Sequence, residues 1–229
     1  MYHTNEFSKR AFSYTEHNII QKKVVKKLVE NINSKPKKIL DLGCGNGAVY
    51  NHITWDIEKF TAVDNASNMC SMHPINPKIK LINEDFETLN FEHTNITISS
   101  SALQWAKNLD TLFQKIASNS DEIAFAIFCD GTFKTIYEIA KLKLFLPNSE
   151  DLIKLLNNYF DFKYEIVHYK LNFEDNISKF RYIKKSGVSG GKRKLNFKET
   201  KNLIKNYPYD YLEFEVMFIW GTNISFSKP

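Results

Sequence analysis

The stretch Ile39-Leu40-Asp41-Leu42-Gly43-Cys44-Gly45-Asn46-Gly47 constrains the fold of this chain more than any other. Its first half is an apolar run, the pattern of a strand buried on both faces of a parallel sheet. Its second half alternates glycines, and glycine lets backbone come close to a ligand because it has no Cβ. Asp64 closes a second apolar run roughly 20 residues on, the spacing at which a βαβ unit offers a carboxylate to ribose hydroxyls. The glycines run G-x-G-x-G behind an acid, so the turn departs from the dinucleotide fingerprint. The pattern predicts a strand, a ligand-binding turn and a helix at the carboxyl edge of a parallel sheet.

The rest of the chain extends that unit. An amphipathic helix is predicted over His17 to Asn33, with Ile20, Val24, Val25, Leu28, Val29 and Ile32 on one face and Lys22, Lys23, Lys26 and Lys27 on the other. Strands are expected over Lys37 to Leu42, Phe60 to Val63, Ile79 to Ile82, Ile96 to Ile98 and Ile123 to Phe128. Helices are expected from Asn46, over Asn65 to Met69 with Ser67 as N-cap, and over Leu109 to Ala117. This βαβα order implies an α/β fold, doubly wound and Rossmann-like, with helices on both faces of the sheet. A helix over Ser149 to Tyr159, a strand over Phe162 to Phe173 and a last strand over Leu212 to Trp220 follow. Between those strands lies an insert, Asn176 to Tyr207, of two short helices. No linker divides the 229 residues, so one domain over 1–229 is expected.

Composition narrows the setting. The net charge of +5 is too mild to mark a nucleic-acid binder. No run reaches the ~18 apolar residues of a membrane helix, and the polar first ten residues show no secretory signal. Three widely spaced cysteines, Cys44, Cys70 and Cys129, argue for a reducing cytoplasm and form no metal box. Cys44 reads as a small loop residue and not as a nucleophile.

Three further segments carry candidate chemistry. Asp85 and Phe86 follow the third strand, where a carboxylate can accept from an adenine amino group and the next amide can donate to a ring nitrogen. The stretch Ser99-Ser100-Ser101-Ala102-Leu103-Gln104-Trp105 follows the fourth strand at the same edge. The insert carries Lys179, Arg181, Lys184, Lys185, Lys192, Arg193, Lys194 and Lys198 from Asn176 to Lys198 without an acid, a field that would steer an acidic macromolecule or a multiply anionic substrate. Ahead of the first helix, Phe7, Lys9, Arg10, Tyr14, His17 and Gln21 mix aromatic and hydrogen-bonding groups outside the apolar stripe. Residues 1–33 therefore read as a helical lid segment.

The turn Asp41 to Gly47 resembles the cofactor loop of class I S-adenosylmethionine (SAM) methyltransferases. More particularly, Phe7-Ser8-Lys9-Arg10-Ala11…Tyr14…Gln21 resembles the F-x-[RK]-x-A…Y…Q entry of the malonyl-acyl-carrier-protein O-methyltransferases of biotin synthesis. Asp64…Ser67…Met69, Ser99…Ala102-Leu103-Gln104-Trp105 and Arg181-Tyr182-Ile183-Lys184…Gly187 resemble further motifs of that family. Two departures are Ser118 to Asp121, which lacks the relatives' P-x-G turn, and a short Cys70 to Pro77 region. The resemblance implies a mostly parallel sheet with an antiparallel last strand and a small helical insert before it. It implies SAM as methyl donor, no metal, and a free malonyl carboxylate on carrier protein or coenzyme A as acceptor.

For SAM, the resemblance points to Gln21, Asp41, Gly43, Cys44, Gly45, Asp64, Asn65, Met69, Asp85, Phe86, Ser99 and Ser100. For the acceptor it points to Tyr14, Gln104, Arg181 and Lys184. An acidic acyl-carrier protein is the expected partner of Lys184, Lys185, Lys192, Arg193 and Lys194, with no nucleic acid and no membrane. A carboxylate is already a nucleophile at neutral pH and needs no general base. Three other readings stay open: a methyltransferase of another small carboxylic acid, a nucleic-acid methyltransferase, and a SAM-binding subunit without turnover.

Overall fold

The structure, a computed structural model, describes residues 18–186 and 195–224, with backbone alone at 184–186. Seven strands form one sheet: β1 (Lys38–Leu42), β2 (Lys59–Val63), β3 (Ile79–Ile82), β4 (Thr94–Ser100), β5 (Ser120–Phe128), β6 (Phe160–Asn172) and β7 (Tyr211–Asn223). Their spatial order is β3-β2-β1-β4-β5-β7-β6. The first five run parallel, and β7 runs antiparallel to both β5 and β6. The α/β, doubly wound arrangement with an antiparallel last strand is as the sequence predicts. The order reverses beside β1, so the turn after β1 stands at the switch point where such sheets open a crevice.

Two apolar layers flank the sheet. Ile39, Phe60, Ile96, Ile98 and Phe128 face α1 (Ile19–Glu30) and α2 (Ala48–His52), and this layer continues to α5 (Lys134–Ala140), α7 (Asn176–Ser186) and α8 (Phe197–Asn206). The alternate residues Leu40, Leu42, Val63, Phe125 and Ile127 face α4 (Leu109–Ala117) and α6 (Ser149–Leu156). Phe113 stacks on Phe125 at 5.9 Å, and Phe160 meets both edge-on. Each such side chain, fully buried, contributes about 1.5–3 kcal/mol. The period of two along each strand thus places one set of apolar residues in each layer.

Several boundaries differ from expectation. Strands β4 and β5 start two and three residues earlier than predicted, at Thr94 and Ser120, because polar ends such as Asn95 and Asp121 still pair. Helix α2 has only five residues, since Gly47 is left-handed (φ 83°) and Ile53 is extended. Ser67 is the first residue of α3 (Ser67–Cys70) and not its N-cap, which is Ala66. The capping acceptor is instead Asp64, whose Oδ1 takes the Ala66 amide at 2.8 Å. Helix α5 was not expected. Left-handed residues flank it, Phe133 (φ 56°) and Lys141 (φ 51°), and no side chain caps its start, so it carries no terminal signal. Helices α7 and α8 lie between β6 and β7.

Candidate functional site

The turn after β1 is built by the exit of β2. The amides of Gly43 and Cys44 both donate to the Val63 carbonyl, at 2.8 and 3.0 Å. The Gly45 amide donates to Asp64 Oδ2 at 2.9 Å. Gly43 is left-handed (φ 76°), and a Cβ there would lie 2.2 Å from the Ala102 Cβ. Only glycine lets the turn close onto the segment that follows β4.

A cavity of about 260 Å³ opens at this junction. Gly43, Cys44 and Gly45 of the turn, Met69 of α3, Ser100 of β4 and Gln21 of α1 all line it. Six of the residues named from sequence therefore converge on one space. Ser101 also lines it and was not singled out from sequence. It is left-handed (φ 65°), and its buried hydroxyl has no hydrogen-bond partner. A non-glycine residue in that region stores strain of about 1–3 kcal/mol, which accumulates at functional sites.

Asp41 lies within β1, fully buried, with neither carboxylate oxygen hydrogen-bonded. Burial, and then the Asp64 charge, raise its carboxyl well above the ordinary range. Burial also raises Asp64, against the lowering effect of the Ala66 and Gly45 amides. Gln21 is buried too, and its Oε1 has no partner. Gln21 therefore brings to the cavity wall an acceptor with no donor of its own, while Asp41, two residues before Gly43, lies outside the lining.

The other candidates are placed differently. Ser99 is turned away from the cavity: its hydroxyl is fully buried and donates to the Leu42 carbonyl at 2.7 Å. Asn65 is exposed beside Asp64. Asp85 Oδ1 accepts the Glu87 amide at 2.9 Å, which folds the loop after β3. Phe86 packs into the α4 layer, and its carbonyl takes one of three hydrogen bonds from Lys115, the others going to Glu87 and Leu89. Lys115 thus gathers the loop, a role its position on an amphipathic helix did not reveal. Gln104 is buried; its Nε2 donates to the Ser101 carbonyl at 2.7 Å and its Oε1 is unpaired. Trp105 stacks on Phe145 at 5.4 Å.

Of the acceptor-side candidates, the described side chains of Gln104 and Arg181 do not line the cavity. Arg181 is exposed on α7, with Asp175 as a nearby opposite charge. Tyr14, Lys192, Arg193 and Lys194 lie outside the described residues, as do the side chains of Lys184 and Lys185. Lys179 corrects the count of surface cations: it is fully buried. Its Nζ donates to Asn176 Oδ1 at 2.9 Å and to the Tyr209 carbonyl, and lies 4.5 Å over the Tyr207 ring. Burial lowers its ammonium below the ordinary range.

Residues 39–120 match the family model described as a methyltransferase domain. The chain is similar to the malonyl-[acyl-carrier protein] O-methyltransferase of Bacteroides thetaiotaomicron, 27% identical over 201 residues, covering 80% of this chain and 76% of that protein. It is also similar to the enzyme of the same name from Acinetobacter baylyi, 24% identical over 221 residues, with 91% and 87% covered. Among solved structures, the YcgJ protein of Bacillus subtilis superposes with a TM-score of 0.65 at 11% identity, covering 87% of this chain and 97% of that one. Haemonchus contortus phosphoethanolamine N-methyltransferase 2, in complex with S-adenosyl-L-methionine, gives 0.60 at 14% identity, with 94% and 57% covered. The fold is that of the class I SAM-dependent methyltransferases.

The domain match and this fold together support a SAM-dependent methyltransferase. The residues present fit that cofactor. Its amino-acid tail carries an ammonium, and the cavity wall holds a buried acceptor that lacks a donor, Gln21 Oε1. Gly43 and Gly45 leave the turn open to close approach. Among the described residues no cluster of metal-binding side chains occurs, and no helix is long and apolar enough to cross a membrane.

Proposed function

We propose that this chain methylates the free carboxylate of a malonyl group carried as a thioester on acyl-carrier protein, an early step of biotin synthesis in the cytoplasm. The observation that carries the reading is the chain-wide likeness to malonyl-carrier methyltransferases. With 91% of this chain covered, it runs through the Ser99 to Trp105 segment at the cavity wall. SAM, when bound, supplies a methyl group on a sulfonium, electrophilic enough for a carboxylate to attack directly.

The chain's task is then alignment and exclusion of water. Gln104 fixes the Ser101 carbonyl, and with it the strained residue that borders the cavity. Trp105, next to Gln104 in the chain, stacks on Phe145 and so holds the end of this segment. Arg181 is the candidate anchor for the malonyl carboxylate, through a bidentate fork, with Lys184, Tyr14 and Gln104 as further contacts. The acidic carrier would dock on Lys184, Lys185, Lys192, Arg193 and Lys194. Lys198, Lys201 and Lys205, all exposed on α8, extend that charge.

The test is direct. Purified protein, SAM and malonyl-carrier protein are mixed, and intact mass should show the carrier gain one methyl ester. Turnover should fall as salt rises, because exposed charge attraction is screened over about 10 Å at 0.1 M salt. Methylation of free malonate with no gain from the carrier would replace this reading with a small-acid methyltransferase. An Arg181→Ala variant with unchanged turnover and selectivity would remove Arg181 as the anchor.

A further inference from the structure

The crossover from β3 to β4 has no helix of its own to hold it, although a link between parallel strands usually forms one. Local turns fold it instead. The amides of Thr88 and Leu89 both donate to the Asp85 carbonyl at 3.1 Å, and Asp85 Oδ1 takes the Glu87 amide. Two ties then fix this loop to the chain after β4. Glu87 Oε1 accepts the amides of Lys107 and Asn108, at 2.9 and 3.1 Å. Lys115, half-buried on α4, donates from one ammonium to the carbonyls of Phe86, Glu87 and Leu89, at 3.1, 2.8 and 2.7 Å. It also lies 4.3 Å over the Phe91 ring. Three carbonyls match the three ammonium protons. Burial lowers the ammonium, and the charges of Asp85 and Glu87 oppose that. Asp85 Oδ2 and the Phe86 amide take no part in this network. An acceptor followed by a donor is thus left at the carboxyl edge of β3.

We propose that Lys115 is the positioning residue for the base of the cofactor, holding Asp85 and Phe86 so that the loop tells a 6-aminopurine from a 6-oxopurine. The inference rests on SAM binding at this sheet edge, and not on which acceptor takes the methyl. Adenine presents an amino donor at C6 beside an acceptor at N1, and the Asp85 oxygen and the Phe86 amide match that order. Hypoxanthine reverses it, with a carbonyl at C6 and a proton on N1. A site built to hydrogen-bond one edge rejects the other because its own polar groups are left unpaired. That rejection requires the two protein groups to stay fixed, since a loop free to turn can offer either base a partner. Lys115 touches no reacting atom. It grips the Phe86 carbonyl and those of Glu87 and Leu89, and so holds the peptide units on which Asp85 and Phe86 turn. A neutral side chain of similar shape keeps the packing on α4 but none of the three bonds.

Calorimetry compares S-adenosylhomocysteine (SAH) with S-inosylhomocysteine, which differs only at C6 and N1 of the base, on the parent protein and on Lys115→Met. The parent should bind SAH at least about tenfold more tightly than the inosyl analogue. Lys115→Met, with its sheet intact by circular dichroism, should lose at least about tenfold in SAH affinity and little for the analogue, so that the preference collapses. Hydrogen exchange of the Thr88 and Leu89 amides should quicken in the ligand-free variant. Lys115→Gln keeps two of the donors; it should lose less of the preference, and it decides the matter in the same way if Lys115→Met does not fold. Equal loss for both ligands would make Lys115 a support of the fold alone. That result, an unchanged preference, unchanged exchange, or a parent that binds both ligands equally overturns the proposal while cofactor binding stands. A parent that binds neither ligand sinks the cofactor reading and this inference with it.

Discussion

Asp64 holds Gly45 by a 2.9 Å hydrogen bond across two strand exits, so the carboxylate that ends β2 also fixes the turn that follows β1. Its other oxygen holds the Ala66 amide. Both oxygens still have a lone pair for a ligand hydroxyl. Asp64→Ala removes two charge-assisted hydrogen bonds together. Hydrogen bonds to charged groups contribute about 1.5–3 kcal/mol each, and burial of the carboxylate offsets part of that. SAH affinity should fall at least about tenfold and Tm by about 4–8 °C. Calorimetry and a thermal melt check both, and an unchanged Kd would mean the turn holds its shape without Asp64.

Gly43→Ala tests the closure from the other side. The added Cβ would meet Ala102 at 2.2 Å, and the φ of 76° strains any other residue. Either the turn or the Ser101–Ala102 backbone must move. SAH binding should drop below detection at micromolar ligand, while the circular dichroism of the sheet persists. Near-native affinity would show that the two segments yield independently.

Asp41 sets a pH dependence. Its carboxyl is raised in the folded protein relative to an ordinary aspartate. Its contribution to stability is therefore greatest at low pH, below the ordinary carboxylate range, and is lost as pH rises through the raised folded value. Asp41→Asn should remove that loss. The Tm difference between variant and parent should grow from near zero at about pH 4 to a maximum in neutral solution, favouring the variant, while SAH binding weakens. A Tm difference flat across pH would mean Asp41 does not titrate as its burial dictates.

Lys179 gives a prediction of opposite character. Lys179→Met keeps the apolar stem but leaves the Tyr209 carbonyl and the Asn176 amide oxygen without this donor. An unpaired acceptor costs about 1–3 kcal/mol when fully buried and less where, as here, it is part-buried, so Tm should fall by about 2–6 °C. Because the ammonium is buried, binding of an acidic carrier should not change. Loss of carrier affinity with unaltered Tm would place Lys179 at the surface after all.

The alternation of apolar runs made the sheet legible, and the boundaries of α4, Leu109 to Ala117, follow from its apolar face and the Asn108 cap. The glycine turn was legible because its acid and glycines are contiguous. What escaped were properties that depend on neighbours distant in sequence. Ser99 and Ser100 are equivalent in composition, and only the parity of β4 decides that one faces the Leu42 carbonyl and the other the cavity. Lys179 reads as one cation among many until Tyr207, Tyr209 and Asn176 enclose it. Ser101 gives no sign of its left-handed backbone, which arises where the β4 exit meets the glycine turn. Asp85 resembles a free ligand group in sequence, yet the amide two residues later already occupies one oxygen.

The hairpin of β6 and β7 has an evolutionary consequence. Asn172 and Tyr211 are paired across it, so the chain leaves and re-enters the sheet at neighbouring points about 5 Å apart. Everything between them is a closed excursion, hung on strands that share no register with β1, β2 or β4. Such an excursion can lengthen, shrink or be exchanged for another while the donor-binding half keeps its geometry. On the proposed reading that this insert receives the acceptor, a chimera grafted at Asn172 and Tyr211 should inherit its donor from one parent and its clientele from the other.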